Sequence, residues 1–330
     1  MTELAGSPRL TGPRRAGPWL EFAVRRTGRL LVSVLVLVTA SFAMIHLIPG
    51  DPVRAALGIT ASPELIQERT RALGLDQPLP VQFASHLWGL LRGDLGTSTV
   101  SGLPVAQVIG DRLPATAGLG VAAFVVTMVV ALPLGIVAAI ATHGGRRRGG
   151  ELAFAGVTGV LAAIPDFLIA VGLVFLFGVT FTVLPVAGLS GPESFVLPVI
   201  ALAVAPAAAL SRIVRVEGLR VLGQDYIRTA RAKRLRPRLI HLRHALPNML
   251  TAALTVGGLL LSGLIAGTVL VENIFAWPGL GTTIVGSITE KDYPLVQGIV
   301  LVYGVAVLLV NLVVDVLLAL LDPRSTIREG

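Results

Sequence analysis

The segment 225-DYIRTARAKRLRPRLIHLRHALPN-248 decides the architecture, because it is densely basic while long stretches nearly empty of charge lie on either side. Between Arg212 and Asn248 the chain places ten of its 27 Lys and Arg residues. Over the whole 330 residues, 54% are hydrophobic and only 14% charged, with a mean hydropathy of +0.81. That is too little polar surface to coat a water-soluble globule of this length. The expected fold is therefore an all-α polytopic membrane protein with this basic segment as its widest polar loop on one side.

Working outward, six runs reach the roughly 20 apolar residues that a helix needs to cross a hydrocarbon core. They lie near Leu30 to Ile48, Ala115 to Ala141, Leu152 to Val179, Phe195 to Val214, Met249 to Val271 and Gln297 to Leu321. The first follows Arg25, Arg26 and Arg29 as a signal peptide would. It is too long for one, however, and ends in Ile48-Pro49-Gly50-Asp51 without a small-x-small cleavage site, so a retained span is expected. Residues 1–28, rich in Pro, Gly and Arg toward their start, are expected to form a disordered basic cytoplasmic tail. The membrane domain then covers 29–322, with 49–114 as an extracytoplasmic loop, 212–248 as a cytoplasmic loop and 323–330 as a C-terminal tail. With the N-terminus inside, 21 of the 27 Lys and Arg fall in inner segments and six in outer ones, which sets the orientation. An even number of spans places both termini in the cytoplasm. The same placement accounts for the net charge of +8 without nucleic acid.

The outer loop carries helix signals of its own: Ser62 can cap a helix opening at Pro63 and Glu64 and closing at Gly74, and a second helix is expected over Pro80 to Leu91. Pro104 to Leu113 can lie along the interface before the chain turns inward at Pro114. In the basic loop, Leu219, Leu222, Tyr226 and Ala230 recur at three and four residues and predict one apolar stripe on a helix otherwise faced by Arg220, Arg228, Arg231, Lys233 and Arg234. Pro237 breaks that helix, and a second short one can run from Arg238 toward Leu246 before Pro247. From periodicity alone, a helix pair held at the surface by anionic lipid fits this pattern as well as a docking element does.

The run Asp225, Tyr226, Ile227, Arg228, Thr229, Ala230, Arg231, Ala232, Lys233, followed at a distance by Leu246-Pro247, resembles the loop motif of binding-protein-dependent ABC importer permeases, in the form seen in the oligopeptide, dipeptide and nickel permease family. Further short motifs are similar to that family in the same order: Pro49-Gly50-Asp51-Pro52, Leu73 to Pro78, Gly93 to Gly96, Ile164-Pro165, Leu184 to Gly188, Glu272 to Gly281, Asp292-Tyr293-Pro294, Asn311 with Asp315, and Leu321 to Arg324. The resemblance implies a multi-pass permease subunit in the plasma (inner) membrane of a prokaryote. It implies a second homologous permease subunit, cytoplasmic ATPase subunits that dock on residues 212–248, and an extracytoplasmic solute-binding protein. ATP and Mg would belong to the ATPase subunits, with no cofactor held by this chain. Where the wider motif places a glycine this chain has Arg234, so a left-handed turn there costs about 1–2 kcal/mol or the bend shifts toward Pro237.

Asp166, after Pro165 within the third run, is an intramembrane carboxylate that would cost about 2.5–3.5 kcal/mol against lipid and so should face a cavity or a partner. Pro165 and Asp166 are the candidate translocation-path residues, with satisfaction of backbone freed by Pro165 as the other reading. Asp315, one turn from Asn311, fits an interhelical hydrogen-bond network, and Gly263 and Gly267 have the spacing of a close helix contact with a second permease subunit. Catalytic and metal sites have no support: no Gly-x4-Gly-Lys-Ser/Thr loop occurs, no Ser/His/Asp set is visible, and cysteine is absent. His241 and His244 stand three apart, but Arg238 and Arg243 crowd them. The alternative function class is an ion-coupled secondary transporter titrating Asp166 and Asp315, which calls for internal repeats that the spans do not display.

Overall fold

The computed structural model describes residues 18–47, 53–54, 61–72, 74–145 and 147–321 of the chain. Among these residues five helices are long and apolar enough to cross a membrane: Ala23–His46, Val105–Gly145, Pro192–Leu222, Val256–Ile274 and Tyr293–Leu317. A further pair, Arg148–Ala163 with Asp166–Thr180, is bent by 88° and, counted as one span, brings the number to six. The elements are α1 (Pro18–Leu47), α2 (Pro63–Ala72), α3 (Leu79–Leu91), α4 (Val105–Thr142), α5 (Arg148–Ala163), α6 (Asp166–Val174), α7 (Val196–Leu222), α8 (Asp225–Ala232), α9 (Leu246–Ile274), α10 (Leu280–Thr289) and α11 (Tyr293–Leu321).

Several boundaries differ from the expected ones, each for a local reason. Helix α1 already starts at Pro18, so the later part of the expected 1–28 tail is helical; residues 1–17 lie outside the described ones, as do Pro49 to Pro52, Leu73 and the 323–330 tail. Pro114 does not turn the chain. It sits inside α4, where a proline removes only one ladder hydrogen bond, and the stretch 105–114 assigned to the outer loop is the first part of that helix. At about 1.5 Å per residue, the 38 residues of α4 reach well beyond the hydrocarbon core. The third run is divided: Ile164 precedes a proline and is extended (φ −78°, ψ 122°), as is Pro165 (φ −59°, ψ 143°), which stops α5 and starts α6 in a new direction.

Helices α4 and α7 form the centre. A Cβ at Gly135 would lie 2.6 Å from the Ser211 carbonyl oxygen, and one at Gly218 would lie 2.7 Å from Ala139 Cβ, so the missing side chains set how closely the two helices cross. Around them α9 adds Leu264 and Val271 beside Leu119, Ala123, Leu197 and Leu202. Helix α11 is tied to α9 by Ser262 Oγ donating to Asn311 Oδ1 at 2.9 Å, and to α1 by Arg26 Nη1 at 2.6 Å from Asp315 Oδ2. Asp315 and Asn311 are thus interhelical ties. In the outer loop the Leu65 N–H donates to Ser62 Oγ at 3.3 Å, and Gly74, at φ +66°, closes α2. Helix α3 rests on α1 through Phe83 against Phe42 and through Gln82 Oε1, 3.0 Å from His46 Nε2.

Candidate functional site

The basic segment folds onto the last turns of α4 and α7. Helix α7 continues through Leu222, so the loop expected from 212 begins only at Gly223, where the extended Gln224 (φ −69°, ψ 152°) lets the chain start α8 afresh. Asp225 in the first turn and Arg231 in the last complement the helix dipole. Arg228 Nη1 also reaches Asp225 Oδ1 at 3.3 Å. The helix ends at Arg234, which holds φ +52°. Its N–H donates to the Arg231 carbonyl at 2.9 Å, and the Leu235 N–H reaches back to the Ala230 carbonyl at 3.3 Å, the paired bonds of a Schellman stop. The left-handed turn is therefore made by the arginine itself and does not move to Pro237. After Pro237–Leu239 and the wide turns Ile240–Ala245, the chain enters α9, and Pro247 lies in the first turn of that helix, where its missing N–H costs nothing.

The buried stripe keeps Leu222 and Ala230 of the expected one, with Leu219 partly buried beside them, and puts Ile227 in the place of Tyr226. Ile227 (0% exposed) and Ala230 (7%) face inward against Ala139, Val221, Leu222, Ile240, Ala245 and Met249, with Leu235 alongside. Tyr226 is 43% exposed. The break at Gly223 and Gln224 interrupts the helix between Leu222 and this pair, so Ile227 and not Tyr226 follows Leu222 into the core. Asp225, Tyr226, Arg228, Thr229, Arg231, Ala232, Lys233 and Arg234 are left on the surface, and Leu246 is half-buried at the start of α9.

Polar contacts tie this unit to the bent pair. Arg231 Nη1 stands 3.3 Å from His143 Nε2 at the end of α4. Arg215, on α7, donates to Thr142 Oγ1 at 3.1 Å and to Glu151 Oε1 at 2.7 Å, and its guanidinium lies 5.9 Å from the centre of the Phe154 ring. Glu151 and Phe154 belong to α5, which leads to the break at Ile164 and Pro165. Nothing in the sequence singled out Arg215 among the arginines or paired it with a residue 64 positions away.

At that break a cleft of about 330 Å³ opens between α5, α6, α7 and α9, lined by Ile164, Pro165, Asp166, Leu202, Ala205, Pro206, Leu260, Gly263, Leu264 and Gly267 among others. Asp166 Oδ1 accepts the Phe167 N–H at 2.8 Å and so caps its own helix. Its Oδ2 points toward Gly267, where a Cβ would lie 3.0 Å away. One carboxylate oxygen of Asp166 thus serves the backbone at the proline break, and the residue lines the cleft. Gly263 and Gly267 line the same cleft. His241 and His244 remain apart from any acid: among the described residues no three His, Asp or Glu gather as a metal site. Burial, and then the charge of Arg231, hold the His241 imidazole below its ordinary pKa.

A second polar cluster lies near the start of α4. Glu272 Oε2 accepts the Gly281 N–H at 2.6 Å, Thr116 Oγ1 accepts the Leu280 N–H at 2.8 Å, and Trp277 Nε1 donates to the Ala115 carbonyl at 3.1 Å. Asp292, 1% exposed, accepts the Ser98 hydroxyl and, at 3.1 Å, the Thr99 N–H, joining the outer loop to the start of α11. The motifs at Glu272 to Gly281 and Asp292 to Pro294 are joints.

Residues 131–327 match the family described as binding-protein-dependent transport system inner membrane component, and residues 19–120 match the N-terminal part of such components. The chain is 38% identical over 305 residues to the glutathione transport system permease protein GsiC of Pectobacterium atrosepticum, covering 92% of this chain and 98% of that one. It is 39% identical over 310 residues to a putative peptide transport system permease protein of Brucella abortus, covering 91% and 97%. Its fold is similar to a chain of the MetNI methionine ABC transporter solved in inward facing conformations, with a TM-score of 0.52 at 18% identity over 66% of this chain and 97% of that one.

Proposed function

The chain belongs to the family of binding-protein-dependent transport system inner membrane components, and from that premise we propose the working assembly in which this ABC importer permease acts. It forms half of a translocation pathway for peptides or glutathione-like solutes, pairs with a second homologous permease subunit, and receives solute from an extracytoplasmic binding protein. ATP and Mg bind in cytoplasmic ATPase subunits, which dock on the exposed face of α8 at Tyr226, Arg228, Thr229 and Ala232. Both termini and the basic loop face the cytoplasm, as the distribution of Lys and Arg requires.

The observation that carries this reading is how α8 is mounted. Its small apolar face is fixed to α4, α7 and α9, while Tyr226, Arg228, Thr229 and Ala232 on the other side stay exposed among the described residues. A push on such a face moves helix ends and not a floppy loop, because packed helices switch between discrete arrangements. Through Arg215 and Glu151 the same displacement reaches α5 and the cleft at Pro165 and Asp166, giving alternating access. Asp315 is held in an ion pair with Arg26 that ties α11 to α1, which gives that carboxylate a structural role.

The test uses membrane vesicles holding the complete transporter and labelled alanyl-alanine as probe. Uptake should require ATP and stop with vanadate. Uptake that survives blocked ATP hydrolysis and follows a proton gradient would install the ion-coupled reading instead.

A further inference from the structure

Among the described residues, Asp166 is the single charged side chain lining the cleft at the α5–α6 break. The walls otherwise consist of Ala, Ile, Leu, Pro and Gly. Among the described residues only the Phe167 N–H bonds the carboxylate, at Oδ1, and Oδ2 is left facing Gly267. Gly267 lacks the Cβ that would crowd that oxygen, and a Cβ at Gly263, one turn away on the same helix, would meet nothing within 4 Å, so the cleft is open beside the carboxylate. An ionised carboxylate at membrane depth with one hydrogen bond is costly, and a cationic occupant offsets that cost better than water does.

We infer that this cleft is a cation-selecting subsite, in which Asp166 Oδ2 receives the ammonium group of a passing solute. The inference rests on the permease reading and adds to it the charge of the group recognised within the membrane. A low-dielectric cleft with one sign of charge focuses the field and raises the local concentration of counter-ions by about tenfold or more. Ammonium groups of peptides and of glutathione-like solutes share the needed chemistry. An anionic group entering first would be repelled, so a solute crosses this point with its amino end nearest Asp166.

Because the chain has no cysteine, a single introduced thiol reports on the cleft directly. Gly263→Cys, with Ala205→Cys as a second position, is made in the assembled transporter and treated in membranes with two methanethiosulfonate reagents, one trimethylammonium-ethyl and one sulfonatoethyl. Relative to a simple thiol, the cationic reagent should be favoured by about tenfold or more at both positions. Adding Asp166→Asn should bring the ratio back to that of the simple thiol. An unbiased ratio, a bias unaffected by Asp166→Asn, or thiols that do not react at all would each overturn the proposal. ATP-dependent alanyl-alanine uptake by the cysteine variants is scored in parallel. A lost charge bias with intact ATP-driven uptake sinks the subsite alone, whereas a retained bias without ATP-driven uptake in the parent transporter sinks the permease reading alone.

Discussion

Along α4, the contacts made near Ala115 and Thr116 and those made near Ala139 and Thr142 use opposite chemistry, although about 35 Å of one helix separates them. Near the start, carboxylates are buried: Glu272 and Asp292 are 0% and 1% exposed, and backbone N–H groups and hydroxyls fill much of their accepting capacity. Near the end, small apolar residues such as Ala139, Ala230 and Ala245 carry the packing, and the charges stand outside. Buried carboxylates held by such bonds, at Asp292 through both oxygens and at Glu272 through Oε2, restrict the arrangement of their partners, since few other positions keep the bonds. Apolar contact between small side chains holds its elements together without fixing them by hydrogen bonds. The first region is built as a joint, and in the proposed function the second is the surface that receives force.

The sharpest way to break this contrast is Asp292→Ala. It leaves the buried Ser98 hydroxyl and the part-buried Thr99 N–H without their acceptor, at a cost of about 3 kcal/mol. The thermal unfolding midpoint of the purified protein should fall by more than for any substitution on the exposed face of α8. A midpoint that does not move would remove the distinction between joint and surface.

Two substitutions on α8 separate the faces of one helix. Ala230→Glu puts a charge among Ile227, Ile240 and Met249 and should destabilise by about 2 kcal/mol, so any loss of ATPase binding there has a structural cause. Arg228→Glu lies on the 74% exposed side chain, should change stability by less than about 0.5 kcal/mol, and should still release ATPase subunits from the permease on copurification. If Arg228→Glu copurifies normally, the docking face lies elsewhere.

Much of this was legible in the sequence. Apolar run length and the placement of Lys and Arg gave the helical membrane class, and Ser62 and Gly74 marked real helix ends. The misreadings have physical causes. Pro114 sits in a helix because a bundle tolerates the one bond it removes, whereas Pro165 breaks one because Ile164 before it is extended. The stripe failed only at Tyr226, because Gly223 and Gln224 interrupt the helix without a strong breaker and turn Ile227 inward instead. Partners such as Ser98 with Asp292, 194 residues apart, leave no local mark at all.

A smaller effect sharpens the receiving surface. Arg234 holds φ +52° at the close of α8, and Arg234→Gly should relieve about 1 kcal/mol of backbone strain, offset in part by the freer unfolded chain. Stability should rise slightly with copurification of the ATPase unchanged. A drop in stability would mean that the guanidinium makes contacts worth more than the strain.

The smallest expected effect concerns His86 on α3, in the outer loop, 3.2 Å from Gln297. Burial holds its imidazole below the ordinary value of 6.5, so the folded chain favours the neutral ring. The sign follows: above 6.5 both folded and unfolded states carry the ring neutral and nothing is lost, whereas below 6.5 the unfolded chain takes up a proton that the folded chain resists. Stability should therefore decline as the pH drops from 6.5 toward the depressed folded value, and His86→Gln should flatten that part of the profile. Unlike Asp292, whose acceptors are filled by Ser98 and Thr99, His86 has among the described residues one polar neighbour, Gln297, and an aromatic one, Phe42, at 5.9 Å between ring centres. It is the weak point of the outer joint, and its protonation should loosen α3 from α1 and α11 before the contacts at Asp292 give way. Thermal unfolding of the two proteins on either side of 6.5 measures this, and identical pH profiles would place the softness of the outer loop in other residues.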